Sequence, residues 1–434
     1  MLLKIEKLLF YLFIFLIPFQ IRIFLNNNGE WNSIFIYLAD LVFLAVLVLW
    51  VINNKIPNHK SAIKNKKNIF LFLFLLIAFI SVFASSGTKI SAFRFLKLLE
   101  FALLFIYIFH KKETKILQVL FYSGIFQAVM AIAQFIKQGS IGIKFIEAGV
   151  FSPDSPGVAN FILNGDRILR SYGSFSHPNV LAGFLLMAIF AFYAIWQKKP
   201  INILRCVGFA ILVFAMFLTF SRTAIVVFGV MSLIFFLFEF FKLRKQEYTE
   251  QRLIDGKKLI KLFLLFAVSC LLAAIILFPY IKARFFTISL EEQAVDLRIF
   301  YNKMAIEMIK EKPILGIGIG NFVNYSQNYP AYLRAASKVA GVAPRSDSGQ
   351  SLPDWIYQPA HNIYLLIASE IGILGVLAFL GFMAIVLLDE IKKKSVFLLL
   401  TIGFLILALL DHYFWTLQSG GIMFWLVLSL TQKE

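Results

Sequence analysis

Twelve apolar segments, each about long enough to cross a lipid bilayer, recur from one end of this 434-residue chain to the other. They lie at residues 8–24, 34–52, 68–84, 92–109, 116–136, 178–196, 203–220, 224–241, 262–279, 363–388, 396–411 and 413–430. Hydrophobic residues make up 60% of the chain and charged residues only 15%, whereas a soluble domain has about 45–50% and about 25%. The pattern predicts an all-α polytopic membrane protein with about twelve transmembrane helices and sets aside the soluble enzyme folds.

Positive charge is divided unevenly between the two sides of this predicted array. With the amino terminus inside, 24 of the 42 lysines and arginines fall on the cytoplasmic side, in clusters between the spans. The bias predicts that both termini are cytoplasmic, and it accounts for most of the net charge of +18. Because the charge is split among short loops and forms no groove on a folded domain, we expect no nucleic-acid partner.

The topology divides the chain into four regions. They are 1–136 with helices 1–5, 137–279 with helices 6–9 and a smaller outer loop at 137–177, 280–362 as one large extracytoplasmic loop, and 363–434 with helices 10–12. Cys206 and Cys270 both lie in apolar segments and by themselves form neither a disulfide framework nor a thiolate metal cluster. We therefore expect any chemistry where the two outer loops meet the outer helix ends.

The large outer loop opens with a pattern that predicts an amphipathic helix. Ser289 and Glu292 have the spacing of a capping box, apolar residues recur at helical intervals as far as Met308, and Pro313 stops the run. Arg298 falls on or beside the apolar stripe, where its guanidinium would meet lipid headgroups. The alternative is a snorkelling arginine with no ligand.

Two further features mark the rest of this loop. Glycines alternate with isoleucines between Pro313 and Gly320, but no Lys-Ser/Thr pair follows, so the pattern predicts a tight turn under a close-packed helix and no nucleotide site. His361 falls at the water edge of the tenth apolar segment, where an imidazole can act as a general base near neutral pH. A histidine with only an interfacial or capping role is the alternative. Gly372 and Gly375 are expected to permit close helix approach.

Arginines also lie at the outer ends of the neighbouring segments. Arg222 ends the string Leu-Thr-Phe-Ser-Arg in a short turn with no carboxylate nearby in sequence. A charge at that depth suggests a functional site, and a planar guanidinium suits phosphate oxygens. Interface snorkelling is again the alternative. Arg170 adds a second cation at the end of the smaller loop, and His177 is a candidate ligand beside it.

Taken in order, these strings resemble the O-antigen ligase and O-antigen polymerase superfamily. The strings are Arg-x-x-Gly-x-Phe-x-His-Pro-Asn from Arg170, Leu-Thr-Phe-Ser-Arg, Arg298 ahead of Lys-Pro-Ile-Leu-Gly-Ile-Gly-Ile-Gly-Asn-Phe, and His361-Asn362 leading into Gly372-x-x-Gly375. The motifs cover roughly residues 165–385, and the predicted topology extends the resemblance to the whole chain. No string between Tyr325 and Pro359 can be assigned to one acceptor class.

The resemblance implies a glycosyltransferase of the bacterial inner membrane with an extracytoplasmic active site. Its donor would be a glycan on undecaprenyl diphosphate, and its acceptor a hydroxyl of a lipid-linked core sugar, of another repeat unit or of a protein. His361 matches the family histidine thought to be the catalytic base. The arginines matched to the diphosphate are Arg222, Arg298, Arg284 and Arg170.

Simple chemistry is consistent with this expectation. A glycosyl diphosphate already has a good leaving group, so arginines that bind the departing diphosphate more tightly as its charge grows would lower the barrier. A base on the opposite side of the anomeric carbon predicts inversion of configuration. Clusters with metal-ligand spacing are absent from the sequence, so we expect a metal-free reaction without a cofactor.

A transporter or lipid-linked glycan flippase is the competing class of protein. Four acidic residues fall within or near the apolar segments and could form an ion path. They are Asp40, Glu100, Glu370 and Asp411. Lys97 and Glu100 have the spacing of a buried ion pair. The sequence shows no internal repeat and no matched pair of broken helices, which disfavours transport.

Overall fold

The computed structural model describes residues 1–27, 29–53, 66–111, 115–147, 149–198, 202–286, 291–327, 356–393 and 395–430. Within these residues the chain is mainly helical. The helices are α1 Leu2–Leu16, α2 Gly29–Asn32, α3 Leu38–Asn53, α4 Lys66–Phe83, α5 Thr88–His110, α6 Ile116–Lys137, α7 Pro178–Lys198, α8 Ile203–Leu218, α9 Arg222–Arg244, α10 Glu250–Ile276, α11 Phe278–Phe286, α12 Glu291–Glu311, α13 Phe322–Gln327, α14 Ile363–Lys393, α15 Val396–Ala408, α16 Tyr413–Thr416 and α17 Gln418–Leu430.

Five described helices are long and apolar enough to cross a membrane, namely α6, α7, α9, α10 and α14. Shorter apolar helices are α3, α4, α8, α15 and α17. Every predicted apolar segment overlaps a helix, which confirms a mostly helical membrane protein, while the number of twelve spans stays a prediction. Helix α7 is the centre of the bundle, with every side chain from Val180 to Ala194 buried against α6, α8, α9, α15 and α17.

Two short antiparallel β-hairpins accompany the helices, and the described residues remain mostly helical, as predicted. The first pairs β1 Arg22–Asn26 with β2 Ile34–Tyr37, and the second pairs β3 Asn160–Leu163 with β4 Asp166–Leu169. The second turn is Asn164-Gly165, and both residues have positive φ angles of 54° and 97°. An Asn-Gly pair with this geometry forms the tight turn whose twist matches that of the paired strands. Both hairpins lie at the end of the bundle where α6 ends and α7 begins.

The glycine-rich segment after α12 forms the predicted tight turn, and it enters a break in α14. Gly372 has φ 78° and ψ 177°, which interrupts the helix, and a Cβ atom there would lie 1.9 Å from the carbonyl oxygen of Ile314. Ile317 and Gly318 donate their backbone N–H groups to the carbonyls of Ser369 and Glu370, at 2.9 Å each. Gly372 therefore leaves room for the loop backbone at Ile314. The expectation that Gly372 permits close approach of two helices is wrong.

Three of the four acidic residues proposed as an ion path, Asp40, Glu100 and Glu370, form ion pairs or hydrogen bonds with neighbouring groups. Lys97 of α5 pairs with Asp40 of α3 and, at 3.2 Å, with Glu100. Gln418 of α17 donates to Asp40 as well. Glu370 accepts hydrogen bonds from the Gly320 N–H at 2.8 Å and from the Trp415 indole at 2.7 Å. These contacts join helices from both ends of the sequence.

The ends of the helices place the predicted site residues together. Helix α6 runs toward the hairpins, and the following helices alternate in direction. The beginning of α9, the beginning of α14 and the segment between α15 and α16 therefore share one end of the bundle. Helix α12 confirms the predicted amphipathic helix, with Tyr301, Ala305 and Met308 buried. The capping residue Ser289 and the segment 328–355 lie outside the described residues.

Candidate active site

His361 lies two residues before α14, and its half-buried ring is enclosed by two others. The ring of Tyr301, from α12, is nearly parallel to it with centroids 5.8 Å apart. The ring of His412 meets it edge to face at 4.7 Å. The Nδ1 atom of His361 is buried and makes no hydrogen bond with the described residues. Ring packing thus holds the imidazole, while the half-buried residue keeps part of its surface exposed.

Asp411 and His412 form the other half of this histidine site. One donor atom from each of His361, Asp411 and His412 lies within 4.8 Å of the others. The Nδ1 atom of His412 is 2.7 Å from the Thr416 hydroxyl, which fixes the orientation of the ring. A carboxylate beside two imidazoles stabilises whichever of them accepts a proton. We call His361, Asp411 and His412 the histidine cluster.

Arg170 connects the smaller outer loop to the histidine cluster through an asparagine. Its Nη2 donates to the Asn179 side-chain oxygen at 2.7 Å, and the Asn179 amide donates to the Asp411 carboxylate at 2.8 Å. Its Nε donates to the Thr219 carbonyl at 2.8 Å. The buried guanidinium therefore already makes hydrogen bonds within the protein. The Arg170 guanidinium lies beneath the site, and its contact with Asn179 helps to orient the Asp411 carboxylate.

Arg298, from α12, lies on the exposed side of the histidine cluster. With Asn179, Ser221 and Asp411 it lines a narrow cavity of about 20 Å³. The charge of Arg298 lowers the pKa of His361, of Asp411 and of Arg170. This volume is close to that of one water molecule, so a larger anion would require the exposed Arg298 side chain to rotate.

Arg222 and Arg284 lie together beside this cavity. Arg222 is the first residue of α9, and its Nη2 donates to the Arg284 carbonyl at 3.0 Å. Arg284, in α11, donates from Nε to the carbonyl of Phe220 at 3.4 Å. The Arg222 guanidinium lies over the Phe285 ring at 5.9 Å, and its charge is repelled by that of Arg298. Two arginines that repel each other at one surface favour an anion between them.

His177 lies at the start of α7, next to the network of Arg170. Its Nδ1 accepts the backbone N–H of Asn179 at 3.1 Å, which caps the helix. Burial, together with the charge of Arg170, lowers the pKa of His177 to about 3. The residue thus has a structural use, and its predicted ligand role stays a prediction.

The protonation states of the cluster follow from burial and from the neighbouring cations. Burial, together with the charge of His412, lowers the pKa of His361 to about 3, so its imidazole is neutral near pH 7. Burial alone would raise the pKa of Asp411, but His412, His361 and Arg298 hold it below its usual value. Burial also lowers the pKa of Arg170, to about 10. The site thus offers a neutral acceptor nitrogen, an ionised carboxylate and several permanent positive charges.

The spacing of the histidine cluster would also admit a cation, because it brings two imidazole nitrogens and a carboxylate together. The charge of Arg298 acts on His361 and Asp411, and that of Arg170 interacts with Asp411, so both arginines oppose a divalent ion there. The arrangement suits a negatively charged ligand better.

Sequence reasoning missed His412 and Asn179, and it named Asp411 only as a possible ion-path residue. A signal for two of them existed in the sequence. Asp411-His412 stands between two apolar segments, on the side of the membrane where His361 and Arg222 were predicted. For Asn179, the only hint was its place in the string His-Pro-Asn.

Comparison with known proteins bears on this arrangement. Residues 207–380 match the family model described as O-antigen ligase. The chain contains an O-antigen ligase-like region. The match confirms the resemblance predicted from the motifs, and it supports glycosyl transfer of the ligase or polymerase type. The O-antigen ligase-like region includes Arg222, Arg284, Arg298 and His361, whereas Arg170, Asn179 and the Asp411-His412 pair lie outside it. No curated protein matches the chain.

Proposed function

We propose that this protein transfers a glycan from undecaprenyl diphosphate to an acceptor hydroxyl, with inversion and without a metal ion, at the outer face of the bacterial inner membrane. The observation that carries the proposal is the meeting of His361 with Asp411 and His412 beside Arg298. A half-buried neutral imidazole next to a cationic surface matches what a glycosyl diphosphate reaction requires.

The arginines bind the leaving group in this proposal. Arg222 and Arg298 hold the diphosphate, Arg284 supports Arg222 through its carbonyl contact, and Arg170 adds charge from beneath. As the bond between the anomeric carbon and the diphosphate oxygen breaks, negative charge grows on the leaving oxygen. Arginines bind that charge more tightly than the charge of the intact donor, which lowers the barrier.

His361 acts as the general base. A bond forms from the acceptor oxygen to the anomeric carbon while the hydroxyl proton moves to His361, and the diphosphate departs on the opposite side. Asp411 then stabilises the imidazolium until the proton returns to water. A base in this position contributes about 10²- to 10⁴-fold to the rate.

Two alternatives stay within the superfamily, and one lies outside it. A repeat-unit polymerase or a protein O-oligosaccharyltransferase would use the same donor chemistry with another acceptor. A transporter or flippase would move the intact donor and would use the acidic residues as an ion path. The pairing of Asp40, Glu100 and Glu370 with neighbouring helices favours transfer over transport.

Reconstituted protein tests the proposal. Proteoliposomes with a lipid-diphosphate glycan should release undecaprenyl diphosphate only when an acceptor is present. His361→Ala should lower the transfer rate by about 10²- to 10⁴-fold, and Arg222→Ala should reduce it comparably.

Arg167→Ala is the matched control, because Arg167 is an exposed arginine of β4 whose ion pair with Asp154 is exposed too. It should leave transfer unchanged. Movement of intact donor between leaflets without transfer would refute the proposal in favour of a flippase. Normal turnover in folded His361→Ala and Arg222→Ala would refute the site.

A further inference from the structure

A second and larger cavity lies next to His412, because two of its lining residues, Trp31 and Thr416, contact that ring. Its volume is about 310 Å³, at the lower end of the range for small-molecule sites. The first hairpin, the loop after α6 and the beginning of α17 enclose it. Side chains that line it include Gln20, Arg22, Trp31, Tyr172, Ser176 and Gln418. We call it the hairpin cavity.

Two residues separate the hairpin cavity from the histidine cluster. The ring of Trp31 meets His412 edge to face at 5.4 Å, and the Thr416 hydroxyl is 2.7 Å from His412 Nδ1. Both Trp31 and Thr416 line the cavity. The cluster thus borders both cavities, since Asp411 lines the narrow cavity with Arg298 and His412 contacts two residues that line the hairpin cavity. Inverting transfer needs two partners on opposite sides of the reacting carbon.

The walls of the hairpin cavity are tied into the fold. Glu147 accepts the backbone N–H groups of Ile141, Gly142 and Ile143, which fixes the loop just before the lining residues Gly149 to Phe151. Arg94 donates to the carbonyls of Thr416, at 2.7 Å, and Trp31, at 3.3 Å. A cavity held by such contacts exists before its ligand arrives, which reduces the entropy cost of binding.

The chemistry of the walls indicates a sugar with a negative charge. Amide and hydroxyl groups alternate with aromatic rings, a combination suited to hydroxyl groups and apolar sugar faces. Two arginines and no acidic residue are found among the lining residues that the structure describes. Arg94 is engaged by two carbonyls, whereas Arg22 is an exposed residue of β1 with a side-chain hydrogen bond to Tyr37. The Arg22 guanidinium lies 4.9 Å from the ring centres of Phe24 and Phe35. Because a guanidinium has five N–H donors, Arg22 keeps donors for a ligand.

We propose that the hairpin cavity binds the acceptor as an anionic saccharide, with Arg22 contacting its carboxylate or phosphate. The inference rests on the proposed transfer reaction, because only that reaction calls for an acceptor. All the described lining residues lie outside residues 207–380. The proposed acceptor site thus lies wholly outside the O-antigen ligase-like region, whereas Arg222, Arg284, Arg298 and His361 lie inside it.

Direct binding tests this assignment without any turnover. Saturation-transfer difference NMR on the full chain in nanodiscs should show binding of methyl glucuronide or of glucose 6-phosphate, and weaker binding of methyl glucoside. The stronger anionic probe identifies carboxylate or phosphate as the recognised group. Arg22→Gln should weaken the anionic probe about ten-fold, Arg22→Lys should restore part of the affinity, and Arg167→Gln should have no effect.

A steric variant locates the bound probe. A Cβ atom at Gly149 would meet nothing within 4 Å, so Gly149→Trp should fold and fill part of the cavity. Gly256→Trp is the matched control, since Gly256 in α10 has the same open surroundings. Gly149→Trp should abolish probe binding and raise the acceptor KM at least ten-fold, with the donor KM unchanged.

The outcomes separate the two proposals. Equal binding of neutral and anionic sugars, or undiminished binding in both Arg22→Gln and Gly149→Trp, overturns the hairpin cavity as an anionic acceptor site. Probe binding with the expected variant effects, but no transfer by the wild type, leaves the cavity assignment standing and overturns the transfer reaction.

Discussion

At the scale of single residues, the environment of His361 keeps its imidazole neutral and weakly basic. Its ring is enclosed by Tyr301 and His412, and burial lowers its pKa to about 3. A neutral imidazole can accept a proton over the whole physiological range. In the proposed reaction Asp411 compensates for the low basicity of His361, because its carboxylate stabilises the imidazolium as it forms.

The first prediction concerns the pH dependence of transfer. Because His361 gains a proton only as the pH falls through about 3, its base form is fully present from about pH 5 upward. We expect kcat/KM for the donor to be flat between about pH 5 and pH 8 in proteoliposomes of the wild type. An acid limb with an apparent pKa near 6.5 that disappears in His361→Gln would contradict this account.

The second prediction concerns metal ions. The donor atoms of the histidine cluster lie within 4.8 Å of one another, but arginine charges act on the same groups. We expect transfer to continue unchanged after dialysis against EDTA, because the leaving group is stabilised by arginines. Loss of activity in EDTA that Zn²⁺ or Mg²⁺ restores would show that the cluster holds a catalytic ion.

Sequence alone could name His361, Arg222 and Arg298, because each is a polar group at the edge of an apolar segment. It could not pair His361 with His412, since 51 positions and two helices separate them along the chain. Nor could it show that Arg170 already donates to Thr219 and Asn179. Such contacts depend on how the helix ends meet, which hydropathy does not encode.

At the scale of elements, the break in α14 fixes where His361 stands. Gly372 adopts a backbone conformation that is essentially confined to glycine, and the loop backbone at Ile314 occupies the space of its missing side chain. The third prediction is that Gly372→Ala lowers the free energy of unfolding by about 2–4 kcal/mol, from strain and backbone overlap. The thermal transition in detergent measures the loss.

Gly229→Ala is the control for this substitution. Gly229 lies inside α9, and a Cβ atom there meets nothing within 4 Å. We expect this change to stabilise the helix by about 0.5–1 kcal/mol. Equal transition temperatures for Gly372→Ala and the wild type would show that the break is not required.

Helices were easier to predict than the breaks and turns between them. Hydropathy over about twenty residues locates a spanning helix whatever its neighbours are. The Asn164-Gly165 turn was a local signal that a search for apolar segments passes over. The break at Gly372 has no local signal, because glycine is also common inside membrane helices.

At the scale of the whole molecule, a mostly buried cluster of charged and polar side chains joins α3, α5 and α17. Lys97 pairs with Asp40 and Glu100, and Gln418 contacts both carboxylates. The fourth prediction is that Lys97→Ala destabilises the protein by about 3 kcal/mol, because two mostly buried acidic groups lose their cation. Thermal unfolding of the purified protein in detergent measures the change.

Two variants make this test specific. Lys310→Ala removes a lysine whose ion pair with Glu307 is exposed, and it should cost at most about 1 kcal/mol. Asp40→Asn added to Lys97→Ala should recover part of the stability, because one unpaired carboxylate is then removed. Stability unaffected by Lys97→Ala would show that the cluster does not stabilise the packing of these helices.

The hydrogen bonds between the glycine-rich turn and the broken helix have a practical consequence for hybrid enzymes. The turn donates to Ser369 and Glu370, and Ile373 donates back to Pro313 at 2.9 Å. A loop transplanted from a related membrane protein without the first three turns of α14 would arrive with unmatched backbone groups. Exchanges intended to alter specificity should therefore join the two sequences after Gly375, or swap the first hairpin instead.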